Sequence, residues 1–265
     1  MTALRPEEEW ARSMIQVALG VPVRTHDDGS MPGMHDLRIV YPDRPSGAVE
    51  VTAAADPDAI ALWKLVNGSG ERWIEPELIG GWMVELNPTA RAKRLRSALP
   101  GLLRVLESQG LGSLRPRGHP STANEDFARD LGVRGLHQSG TQYPGSIYVT
   151  LHLPAERSGG WVADNGDALA LWIGDFILHE PARRDVLEKL ARSGAEDRHV
   201  FVLLPGFTTA PFGVSDLLMR GGPPLPLVAP QLPAEVTHTW AVSTWNSGSG
   251  FRWDPQIGWS TFTKP

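Results

Sequence analysis

Two acids and a threonine carry the most legible chemistry in this chain. Asp36 is followed, after thirteen intervening residues, by Glu50, with Thr52 two positions further on. Residues 37–41 and 48–54 read as strands. Pro42-Asp43-Arg44-Pro45-Ser46-Gly47 between them is turn material, so the pair predicts a hairpin. Glu50 and Thr52 then share one face of the sheet, because side chains alternate along a strand. A turn centred near Arg44 puts Asp36 opposite Thr52 and diagonal to Glu50. Such neighbours have Cβ atoms about 5–8 Å apart. Two carboxylates at that range can share one divalent cation, and hard oxygen ligands favour Mg²⁺ or Mn²⁺.

Asp36 and the following Glu50-Val51-Thr52 resemble the core of the PD-(D/E)xK nuclease superfamily. In that family an Asp begins one hairpin strand and a Glu-x-Lys lies on the next. The preceding helix, often carrying a Glu, and the following helix also match in order. The resemblance covers residues 6–86, about a third of the chain. It implies that Asp36, Glu50 and the backbone carbonyl of Val51 hold a metal. The metal would lower the pKa of a bound water and stabilise charge on the attacked phosphate. Glu9 or a neighbour would supply a further acid from the first helix.

The family's lysine is replaced here by Thr52, which can hydrogen-bond a water but carries no charge. Lys64, on the helix after the strand, is the candidate for a displaced lysine. Two readings follow: a metal-dependent nuclease acting on DNA or RNA, or a nuclease fold that no longer cuts and serves binding or assembly. The rest of the chain resembles uncharacterised proteins of GC-rich bacteria. The shared elements are Glu50-Val51-Thr52, Lys189-Leu190 leading to Arg198-His199-Val200-Phe201-Val202, and a terminal stretch containing Val236-Thr237-His238 and Trp240. That likeness implies no activity.

Other residue groups were weighed against this one. His26-Asp27-Asp28 and His35-Asp36 place two histidines and three acids within eleven residues. They suit a transition-metal site or, more simply, a polar loop ahead of a strand. Arg91, Lys93, Arg94 and Arg96, with Arg104 beyond, give a long helix a basic start, for phosphate contact or as a solvated face. Ten tryptophans include four in the tail, Trp240, Trp245, Trp253 and Trp259, which could support a homo-oligomer. No P-loop, Gly-x-Gly-x-x-Gly after a strand or Gly-x-Ser-x-Gly elbow occurs.

The elements that must position these residues follow from periodicity. Pro6 with Glu7, Glu8 and Glu9 starts a helix, with Trp10, Met14, Val17 and Ala18 on one face and Gly20 ending it. Asp56-Pro57 caps the helix that carries Lys64. Residues 82–86 read as a strand, and 90–109 as the longest helix, with Leu95, Leu99, Leu102, Leu103 and Leu106 inward. Further helices are predicted over 125–131, 167–178 and 182–192, and strands over 146–153 and 199–204. Residues 246–250 read as a loop between Trp245 and Trp253.

The alternation predicts an α/β protein with a mixed central β-sheet flanked by helices, and the nuclease resemblance implies a restriction-endonuclease-like core. We expect one domain over 1–265, with a core over 1–110 and an extension over 111–265 packed on or continuing it. Composition sets outer bounds. With 265 residues, 41% hydrophobic and 21% charged, the chain is ordinary for a globular protein. The absence of cysteine excludes disulfides and thiolate chemistry. A net charge of −5 gives no global attraction to nucleic acid, so any such contact must be local. Neither an export signal nor an apolar run long enough for a bilayer is evident, and a cytoplasmic protein without membrane contact is expected. Only Lys64, Lys93, Lys189 and Lys264 are lysines among 25 basic residues, which singles out each of them.

Overall fold

The structure, a computed structural model, describes residues 4–67, 73–116, 121–160, 162, 165–179, 183–221, 224–245 and 249–264. Residues 246–248 of the tail loop and residue 182 lie outside these. The chain forms two compact units. Met1–Ala55 and Ala155–Pro265 make the first, and Asp56–Pro154, between them in sequence, makes the second. The division falls at 55/56 and 154/155.

The first unit begins with α1 (Pro6–Leu19). Pro6 presets the first turn, three glutamates favour its positive dipole end, and Arg5 N–H donates to Glu8 Oε2 at 3.0 Å. Gly20 ends the helix at φ 65°, a left-handed conformation that glycine adopts without strain. Then come β1 (Val23–Thr25), β2 (Leu37–Ile39) and β3 (Gly47–Ala53).

The second unit holds α2 (Pro57–Asn67), β4 (Trp73–Ile74), β5 (Trp82–Leu86), α3 (Ala92–Ser108), β6 (Ser113–Leu114), α4 (Ala123–Asp130), β7 (Val133–Gln138) and β8 (Ser146–Leu151). The chain then returns to the first unit through α5 (Ala155–Ser158), α6 (Asp167–His179), α7 (Arg184–Arg192), β9 (Arg198–Leu204), α8 (Phe212–Arg220), β10 (His238–Ser243), β11 (Ser249–Asp254) and β12 (Gly258–Thr263). Among the described residues this gives eight helices and two sheets, a mixed α/β architecture.

The seven-stranded sheet of the first unit runs β1-β2-β3-β9-β10-β11-β12. β3, β9 and β10 are mutually parallel and the other pairs antiparallel. Both faces are covered. Ala11, Met14 and Ile15 of α1 pack with Leu37, Val49, Val51, Phe201 and Trp240 on one side. On the other, α6, α7 and α8 pack with Ala48, Val200, Val202 and Ala241. This explains why β3 is buried from Gly47 to Thr52: a central strand of a three-layer unit has no solvent face. The buried stripe of α1 is rotated from the predicted one, leaving Val17 61% exposed while Ala11 and Ile15 are buried.

The second unit's sheet runs β4-β8-β5-β7-β6, with the predicted leucine stripe of α3 buried. Several elements lack a legible local pattern: β1, β4 and β6 are two or three residues long. The tail tryptophans Trp240 and Trp259 are buried and Trp253 packs on the core that holds Trp259, which leaves Trp245, at 69% exposure, as the tail's solvent-facing one. No helix among the described residues is long and apolar enough to cross a membrane.

Candidate metal centre

β2 and β3 pair with Leu37 opposite Val49 and Ile39 opposite Gly47. Continuing that register by one residue sets Asp36 beside Glu50. The sequence had placed it beside Thr52. The connection is centred one residue earlier than expected, which moves the pairing by two positions. An even shift keeps every side chain on its own face, so the carboxylate pair survives the correction.

The two acids hold each other's strands. Asp36 N–H donates to Glu50 Oε1 at 3.1 Å, and Val51 N–H donates to Asp36 Oδ2 at 2.7 Å. β2 is too short to pair with Val51, so the Asp36 carboxylate stands in for the missing strand partner. The N–H and C=O of a strand residue point to the same edge, which turns the Val51 carbonyl toward the Asp36 side as well. Each carboxylate keeps one oxygen for a cation. Asp36 Oδ1 lies 3.6 Å from Arg5 Nη2, and Glu50 Oε2 lies 3.4 Å from Lys189 Nζ.

Both acids are buried, and this shapes their protonation. Burial pushes the Glu50 carboxyl up to about 8, and the neighbouring Asp36 charge adds to it while Lys189 opposes it. Burial also raises Asp36, against the Val51 hydrogen bond. Burial alone would lower Lys189, but the Glu50 and Asp36 charges outweigh it and leave it raised. Negative charge here is thus unfavourable unless a cation accompanies it.

Lys189 was not assigned to the site from sequence. It was marked only as one of four lysines and as part of a shared element. It comes from α7, which buries Val186 and Leu190 in the core and so aims Lys189 at β3. Arg183, just before α7, donates to Thr52 Oγ1 and, at 2.8 Å, to the Ala53 carbonyl. The uncharged position 52 is therefore met by a guanidinium from another element. Lys64 lies on α2 in the second unit; the lysine that reaches Glu50 is Lys189.

On the first helix it is Glu8, the neighbour of Glu9, that is linked to Asp36. Arg5 bridges Glu8, at 2.5 Å, to Asp36, whereas Glu9 is exposed and paired with Arg12. A cleft of about 420 Å³ opens over Glu50, Thr52, Arg183 and Lys189. A second, of about 360 Å³, opens over Asp36, Glu8, Asp27 and Lys189.

The remaining candidates fare differently. Asp27 Oδ1 and Asp28 Oδ1 accept from Gly29 and Ser30 N–H at 3.0 and 2.9 Å, so these acids shape their own loop. His26 stacks on His35 at 3.8 Å and meets Arg38 Nη2 at 2.9 Å. On α3, Arg94 pairs with Asp130, Arg96 donates to the Val66 carbonyl at 2.6 Å, and Arg91 and Lys93 are exposed.

A separate group, Asp197, His199 and His238, brings three donor atoms within 4.8 Å of one another. Within it His199 Nε2 is buried with no hydrogen-bond partner. The two rings stack at 4.2 Å, only 22° from parallel. Trp240 Nε1–H donates to His199 Nδ1 at 3.2 Å, which places the proton of a neutral ring on Nε2. Arg44 already neutralises Asp197 at 2.7 Å.

No protein-family model, curated protein or solved structure matches the chain.

Proposed function

We propose that the protein is a metal-dependent phosphodiester hydrolase acting on nucleic acid, built on a restriction-endonuclease-like core. One observation carries this reading. Two buried carboxylates from adjacent strands each spend one oxygen on a backbone N–H and turn the other toward cations beside an open cleft. The order of α1, the β2–β3 hairpin, α7 and the parallel strand β9 supports the same reading.

Asp36, Glu50 and the Val51 carbonyl would hold Mg²⁺ or Mn²⁺, which suit an all-oxygen set. When bound, such an ion supplies an acidified water and positive charge against the attacked phosphate. The chain's own groups do the rest. The water oxygen bonds phosphorus, the P–O ester bond breaks, and the water's proton ends on the departing alcohol. Arg5, Arg183 and Lys189 line the cleft and favour an anionic substrate. In the second unit, taken by itself, Arg91 ahead of α3 and Lys93 within it are offered as contacts to a DNA or RNA backbone.

Plasmid DNA and oligonucleotides of DNA and RNA, incubated with the protein in Mg²⁺ or Mn²⁺, test this. Cleavage that disappears in Glu50→Ala and Asp36→Ala is expected. Absence of cleavage, or its survival in Glu50→Ala, rejects the enzymatic reading.

A second reading has its own observation. Arg5 and Lys189 already reach the two carboxylates, as in a closed ion-pair network on a non-cutting binding module. It requires that calorimetric titration with Mn²⁺ give no heat that Asp36→Ala removes.

A further inference from the structure

The starts of β9 and β10 bring two histidines side by side. His199 and His238 are partners in the parallel register, and their rings stack at 4.2 Å. Asp197, two residues before His199, offers an oxygen within 4.8 Å of a nitrogen of each ring. Asp254, at the end of β11, brings Oδ2 to 3.7 Å from His238 Nε2. This group is no extension of the acid pair. His199 stands beside Val49 in the β3–β9 register and Val200 beside Glu50, so the two groups lie on opposite faces of the sheet.

Hydrogen bonds fix which atoms are free. Thr237 Oγ1 donates its one proton to the Arg198 carbonyl at 3.1 Å and accepts from Arg198 N–H at 2.8 Å. Its remaining lone pair, 2.8 Å from His238 Nδ1, therefore takes an N–H from that ring. His238 Nε2 is left as a bare lone pair beside carboxylates. Burial holds His238 below its ordinary pKa although Asp197 and Asp254 pull it up, so the ring stays neutral at neutral pH. A lone pair flanked by two carboxylates is an acceptor set without a donor, and a cation answers it. An imidazole that gives Nδ1–H to an oxygen and keeps Nε2 free is the usual posture of a metal-bound histidine. We propose that His238 Nε2, Asp197 and Asp254 bind a transition-metal dication, Zn²⁺ being the best match to a nitrogen-and-carboxylate set.

His199 calls for an oxygen on the same ion. It is 2% exposed, and its Nε2 has no partner. Trp240 Nε1–H occupies Nδ1 at 3.2 Å, so the free nitrogen carries the proton. A buried N–H without an acceptor is unfavourable, and a water held by the ion gives it one. Arg44 is the competing cation. It rests 2.7 Å from Asp197 Oδ2, yet that oxygen has no hydrogen-bond partner, so the contact is a charge pairing without bond alignment. Its side chain is 53% exposed and can withdraw to solvent when an ion arrives. The ion ties the starts of β9 and β10 to the end of β11, three neighbouring strands of the sheet.

Calorimetric titration of the full chain with Zn²⁺ at neutral pH, and thermal unfolding with and without it, test this. We expect one saturable Zn²⁺ that survives Glu50→Ala, raises the unfolding temperature with its concentration and disappears in His238→Gln. Asp254→Asn should weaken it. His199→Phe and Thr237→Val, which remove hydrogen bonds around the ion and its ligand, should weaken it by about 10–100-fold. Arg44→Ala should tighten it, and an exposed side chain can be removed without disturbing the core. Co²⁺ in place of Zn²⁺ should give visible absorption bands that His238→Gln loses. Wild type with no saturable Zn²⁺, binding that Glu50→Ala removes, unchanged affinity in His238→Gln, or no gain in Arg44→Ala each overturns the proposal. None of these readouts depends on nucleic-acid cleavage, so the hydrolase reading stands or falls separately.

Discussion

At the scale of single residues, Glu50 governs how the buried acid pair responds to pH. Its carboxyl is held near 8 against an ordinary 4.5, chiefly by burial. The folded protein thus binds a proton between those values that the unfolded chain has lost. The resulting stability is full below about 4.5 and is lost as pH rises toward 8, by up to about 1.4 kcal/mol per pH unit for one proton. Urea unfolding from pH 4 to 9 should show this as a falling difference between wild type and Glu50→Gln. Saturating Mn²⁺ should reverse the slope, since an ion binds the ionised form. A flat difference would mean that folding leaves the titration of Glu50 unshifted. His35 works in the opposite sense. Burial and then the neighbouring His26 hold it down to about 4 against 6.5, so its contribution is present above 6.5 and is lost as pH falls toward 4. His35→Asn should flatten the acid limb of the same curve. Thr52 offers a third check. Thr52→Val keeps the shape but removes the acceptor of Arg183, and about 1–3 kcal/mol of stability should go with it.

At the scale of elements, the sequence patterns were reliable where one face of a long helix decided the matter. The α3 leucines are buried as their spacing requires, and Gly20 stops α1 where expected. Patterns were misleading where the partner surface lay elsewhere in the chain. Val17 shares the apolar spacing of Met14 but lies on the exposed edge of the stripe. The β2–β3 register was misread because proline-rich turns leave their centre uncertain by a residue, and pairing moves by two for each such step. Glu107 is an acid on the otherwise basic helix α3. Its carboxylate accepts from Ile79 N, Gly80 N, Trp82 Nε1 and Gln138 Nε2 at 2.9, 3.0, 3.0 and 3.1 Å. It therefore pins the start of β5 to α3. Glu107→Ala should cost about 2–3 kcal/mol and speed amide exchange at Ile79 and Gly80. If exchange there is unchanged, the staple is not what orders that segment.

At the scale of the whole molecule, Asp56–Pro154 is a continuous segment with its own sheet and its own buried helix faces. Expressed alone, it should unfold in one cooperative transition and give dispersed amide resonances; a non-cooperative melt would show that its core is incomplete. The first unit is discontinuous, closed by β9 pairing in parallel with β3. What the sequence determined by itself was local: helix starts and stops, the hairpin, the common face of Glu50 and Thr52, and the carboxylate pair that hairpin geometry makes unavoidable. What only the tertiary structure decided was non-local. Strand β9 returns to β3 across an inserted unit, and α7 is laid over that pair so that Arg183 and Lys189 arrive at Thr52 and Glu50. No periodicity encodes such a meeting. It depends on burying Val186 and Leu190 in a core assembled from distant strands, and local spacing carries no information about which distant surface a helix will cover.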